Sequence, residues 1–287
     1  MITFSPYPIT INGSTKDERI RADVKRRLEA RNLSEPERIG EEIKELIRLQ
    51  PNDWDYVAEN TPQARHYEER VRSFLNEIRR NEVGRCVLDF CMGADPIWII
   101  PFDSAQIENA GGSFDANVTR SHKSFGGKQA VRVAYTPGHW TFAADGKLPG
   151  ARADEVLFHE MVHAYRFASP RVPARNYDEL PHNTDHEEFL AHQAANVYRS
   201  LKGARVFNIH YKGKQLASAA ECEKGLKSIP GLLEALEGFL RTDPLSKAIA
   251  RIRTLYNPFA DIDRLRRERD ESRRGVHPGR TLPPPAR

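Results

Sequence analysis

Cysteine is scarce: three residues, Cys86, Cys91 and Cys222, in a chain of 287. Three cannot form a disulfide-stapled mini-fold, and without paired C-x-x-C spacing they do not make a cysteine zinc site. Inert buried thiols are the expectation. Long apolar runs are missing too: no stretch approaches the roughly 18 residues of a membrane helix. The start, Met1-Ile-Thr-Phe-Ser-Pro6, lacks a basic segment followed by an apolar one, so no Sec signal peptide is expected. A large charge excess is also absent, with Lys+Arg 44 against Asp+Glu 40 and a net charge of +4. That balance argues against a nucleic-acid coat. Residues 264–287 hold eight Arg against three acids, an excess of +5, so the rest of the chain is close to neutral.

With 39% hydrophobic and 29% charged residues, the chain can bury one sizeable core. The first 80 residues read as three helices. Ile20, Val24 and Leu28 recur at helical spacing. Ser34 and Glu37 form a capping box ahead of Ile39, Ile43, Leu46 and Ile47, and Val71, Phe74, Leu75 and Ile78 mark the third helix.

Near Gly84 the pattern changes. Cys86–Phe90 and Ile97–Phe102 are short apolar runs expected as strands, with a loop at 110–113. Gln129–Tyr135 alternates as a half-exposed or edge strand does, and 140–143 is a candidate return strand. A helix is expected over 152–167, ended by Ser169-Pro170. Another is expected over 186–201, then a helical hairpin of 230–241 and 244–255 with Asp243 as cap. The expected architecture is α+β: a helical N-terminal region (1–82), a second domain (83–256) and a basic Pro/Arg-rich tail (257–287), disordered at its end.

His159-Glu160-Met161-Val162-His163 is the central observation. On a helix, residues four apart share a face, so both imidazoles can aim at one metal ion. Glu160 lies about 100° round the helix, within reach of a water on that metal. By composition alone about 3 chains in 100 would contain such a pentad, so its context matters. It sits inside an expected helix with apolar flanks. A catalytic zinc needs a third protein ligand and an open position. The metzincin positions for Gly and His fall on Arg166 and Ser169, so that option fails. The next acidic helix, Asn183–Ala191, offers Glu187 or Glu188. With Thr184 as cap, Glu187 is the box partner and Glu188 is left for metal; with Asp185 as cap the roles reverse.

His-Glu-x-x-His followed by Glu-x-x-Ala on a downstream helix resembles the gluzincin metallopeptidases. Glu188-Phe-Leu-Ala191 is similar to the Glu-Phe-Phe-Ala of the anthrax lethal factor zinc helix. Leu157–Tyr165 with Glu-Glu-Phe-Leu-Ala also resembles the metallopeptidases that bacteria inject through type III secretion systems. The resemblance spans about residues 155–200. It implies a zincin-like domain, one zinc ion held by His159, His163 and Glu188, and Glu160 as general base. It implies a Tyr or His beside the oxyanion: Tyr177 first, with His182, His186 and Tyr198 as other candidates, while Tyr165 points toward the core. It implies a peptide or protein substrate lying along an edge strand, 129–135 or 140–143. With no long apolar run and no Sec signal peptide, the chain is expected to be soluble, and cytoplasmic or delivered by a specialised secretion system. In that family an acid one turn after the Glu ligand orients a zinc-bound His. Here that place is His192, leaving Asp154, Glu155 and Asp185 as candidates for the orienting role. Arg166, Arg171 and Arg175 could favour an acidic substrate. Two other functions stay open: a zinc amidase acting on a cell-wall amide, and a non-catalytic interaction module.

Overall fold

The computed structural model describes residues 1–13, 62–101, 117–125, 128–135, 137, 152–170, 172, 178–181, 184–208 and 216–274. The expected helices around 20–28 and 34–47, the loop at 110–113 and the candidate strand 140–143 lie outside these residues. Among them, no helix is long and apolar enough to cross a membrane.

The chain divides into two compact units, one of 1–146 with 150–171, the other of 147–149 with 172–287. These limits differ from the expected boundaries at 82 and 256. The position after residue 82 falls at the start of α2, which packs on α1 within the first unit.

The first unit holds β1 (Ile2–Thr3), β2 (Ile9–Ile11), α1 (Pro62–Arg80), α2 (Glu82–Cys91), β3 (Ile97–Ile100), β4 (Asn117–Phe125), β5 (Lys128–Ala134) and α3 (Ala153–Ala168). Its five-stranded mixed sheet runs β1-β2-β3-β5-β4, with β2, β3 and β5 parallel and both outer strands antiparallel to their neighbours. The register aligns Ile9 with Ile97 and Val131, and Ile11 with Ile99 and Val133. All six side chains are buried, so two apolar rows cross three strands on one face. Val71, Leu75 and Ile78 form the buried stripe of α1, as their spacing predicts.

Two strand expectations are corrected. Residues 86–90 belong to α2, not to a strand. Asn81 caps that helix through Val83 N–H and Gly84 N–H, and Val83, Val87, Leu88 and Cys91 bury at helical spacing. Residues 128–134 form an interior strand rather than an edge, because β4 covers the side away from β3; even Arg132 is buried there. Gly84 is required at the crossing of α1 and α2. A Cβ there would lie 2.0 Å from the carbonyl oxygen of Ile78, a backbone atom that cannot swing aside. Gly84→Ala is expected to cost at least about 4 kcal/mol, read as a lower urea midpoint or as loss of soluble protein.

The second unit holds a hairpin of β6 (Glu179–Leu180) and β7 (Thr184–Asp185), α4 (His186–Leu201), β8 (Phe207–Asn208) paired with β9 (Leu216–Ala217), α5 (Ala219–Ser228), α6 (Leu232–Thr242), α7 (Pro244–Ile249) and α8 (Ile262–Arg273). Asp243 accepts from Ser246 N–H and Pro244 opens α7, the expected cap arrangement. The helix is shorter than expected. Asn257 Nδ2 donates to the carbonyls of Ile249 and Ile252, at 2.8 Å each, and turns the chain away. Residues 257–274, expected as the start of a tail, carry α8. Its apolar anchor is Leu265, and ion pairs join Arg264 to Glu223, Lys227 to Glu268 and Arg269 to Glu234.

Cys91 and Cys222 are buried, and burial pushes both thiols up to about 12. They stay protonated and unreactive at neutral pH, the bland role expected of them.

Candidate metal centre

α3 carries the pentad. The helix starts at Ala153, with Asp154 and Glu155 complementing its positive end, and stops where Ser169 N–H bonds the Tyr165 carbonyl. Thirteen of its sixteen residues are buried, so it is an interior helix packed on β4 and β5 rather than an amphipathic cover. Both ends are tied to the sheet. Tyr135, just past β5, donates its hydroxyl to the Ala153 carbonyl at 2.8 Å, and Asp95, just before β3, donates its N–H to the Ala168 carbonyl at 3.0 Å. Burial, with the charge of Asp154 beside it, pushes the Tyr135 phenol up, so it remains a donor.

On this fixed helix the Nε2 atoms of His159 and His163 approach to 3.1 Å, with ring planes at 73°. Two nitrogens each about 2.05 Å from a tetrahedral zinc would stand roughly 3.3 Å apart. The donor chemistry and spacing of this pair therefore fit a metal. As a hydrogen bond, the same contact needs one ring to donate; a bound cation would take the place of that proton. Glu160 is 7% exposed and His163 likewise, while His159 is half-buried. Tyr165 packs on Phe90 in the core, as its direction on the helix predicts.

α4 carries the candidate carboxylates. Its cap is Asp185, whose Oδ1 accepts from Glu188 N–H at 2.8 Å. Of the two caps the sequence left open, the structure thus uses Asp185, the choice that makes Glu188 the box partner and so by itself favours Glu187 as the free carboxylate. Pairing of Leu180 with Thr184 and of Glu179 with Asp185 precedes the helix start. Glu187 is buried, whereas the Glu188 side chain is 32% exposed, although its Oε2 is itself shielded from solvent. His192 lies one turn on, its Nε2 3.9 Å from Glu188 Oε2. Sequence reasoning noted the position only as a missing acid; the i,i+4 spacing was the signal for the pair.

The remaining candidates separate. Tyr177, His182, Arg171 and Arg175 lie outside the described residues. His186 has its Nδ1 2.9 Å from the Asp178 carbonyl and its ring edge-on to Phe239. Tyr198 is fully buried with Lys202 over its ring, so it packs the interior of α4 and is not open to a substrate. Arg166 is buried as well, which removes it as a surface for acidic substrates. Asp185 is committed as a cap. Asp154 stays close to Arg152, and Glu155 stands one turn before His159 on the same helical face. Compared with protein-family models, curated proteins and solved structures, the chain matches none.

Proposed function

We propose that the protein is a zinc-dependent hydrolase of peptide bonds with a zincin-like catalytic region. In this reading His159, His163 and Glu188 hold one zinc ion. The observation that carries it is the 3.1 Å approach of the two histidine nitrogens on a helix anchored at both ends, with Glu160 next to the first of them. The gluzincin-like spacing of the pentad and Glu188 supports the third ligand, as does the greater exposure of Glu188 over Glu187.

When bound, zinc would activate a water molecule and polarise the scissile carbonyl. Glu160 takes the proton from the attacking water and hands it to the leaving nitrogen. The tethers at Ala153 and Ala168 keep the two imidazoles in place before any substrate arrives, which spares reorganisation during the reaction. The substrate in this reading is an extended peptide. Its docking edge is β4, the outermost strand of the sheet and one that packs against α3, in place of the expected 129–135. Main-chain pairing there would supply affinity irrespective of side chains.

The test is metal analysis joined to a peptide-library cleavage assay. Purified protein should contain about one zinc per chain, lose hydrolysis on chelation and regain it when zinc is restored. Cleavage that persists in metal-free protein would overturn the proposal.

A further inference from the structure

We infer that α4 offers two metal donors: Nε2 of His192 as well as the carboxylate of Glu188. The inference rests on the metal site proposed above and adds a ligand to it. The two side chains are four residues apart and share a face of the helix. Their nearest donor atoms are 3.9 Å apart, and the side chains are 32% and 16% exposed, Glu188 and His192 respectively. Glu188 Oε2 and His192 Nε2 are themselves shielded from solvent, although the two side chains are less buried than Phe189, Leu190, Gln193 and Val197 of the same helix. The first turn is fixed because the N–H of Glu188 itself bonds to Asp185. Donors on one ion of this kind stand roughly 3.0–3.5 Å apart, so small side-chain rotations close the gap. Imidazole with carboxylate is a donor set suited to zinc.

The competing role is an ion pair in which His192 only holds Glu188 in place. Zinc affinity, measured by competition with a chromophoric chelator, separates the two, together with the visible spectrum of the cobalt-substituted protein. His192→Ala and His192→Gln are both expected to weaken zinc at least about tenfold and to alter the cobalt spectrum. Gln can still hydrogen-bond Glu188 but brings no imidazole. Wild-type affinity in either variant would overturn the inference, and restoration by Gln alone would assign His192 the positioning role instead. Circular dichroism establishes that each variant is folded, and Gln is the variant relied on if Ala is not. His163→Ala is measured in parallel. If it binds zinc as well as wild type while both His192 variants do not, the ligand set proposed earlier fails and the α4 pair stands.

Discussion

Replacing Glu160 with Gln is expected to leave zinc bound and the fold intact while lowering peptide hydrolysis about a hundred- to ten-thousand-fold. The two side chains have nearly the same volume, so the buried setting of residue 160 is disturbed little. What changes is basicity: a carboxamide cannot accept the proton of an attacking water. The measurement is kcat on a cleaved library peptide, alongside zinc content and the urea midpoint. Unchanged kcat in a folded, zinc-loaded Glu160→Gln protein would remove Glu160 as the base. Loss of both zinc and stability would mean that the side chain serves the architecture of α3.

His163→Ala should act on the metal first. One of two nitrogens 3.1 Å apart is deleted, and the site loses a donor that no neighbouring side chain on α3 replaces at the same face position. Zinc content is expected to fall from about one per chain to near none after dialysis. Because a ligand that binds only the folded chain stabilises it, zinc should also stop raising Tm: at a hundred times its Kd, zinc gives the wild type about 2.7 kcal/mol, and the variant should gain none. His163 is itself buried, so apo wild type is the proper baseline for the variant's Tm. Full zinc content in His163→Ala would show that the imidazole pair is a packing contact.

Helix α3 was readable because its signals are local. The i,i+4 histidines, the apolar residues between them and the Ser169-Pro170 stop predict 152–167, and α3 spans Ala153–Ala168. α4 likewise spans His186–Leu201 as expected. Short apolar runs were not readable in the same way. Cys86–Phe90 fits a strand or a buried helix turn equally, and only the Asn81 cap and packing on α1 and α3 select the helix. α8 is so polar that composition suggests a tail; it is held by partners such as Glu223, 41 residues away from Arg264.

Spacing along the backbone thus sufficed to bring two imidazoles together, since a helix repeats every 3.6 residues whatever surrounds it. It also placed Glu188 and His192 on a common face. The interior position of β5 between β3 and β4 and the burial of Glu187 against the partial exposure of Glu188 depend on contacts between segments apart in the chain, while the choice of Asp185 over Thr184 as cap goes with the short β6–β7 hairpin. Residues of one type in one local pattern can end up on either side of such contacts, because burial is decided by what the rest of the chain lays over them.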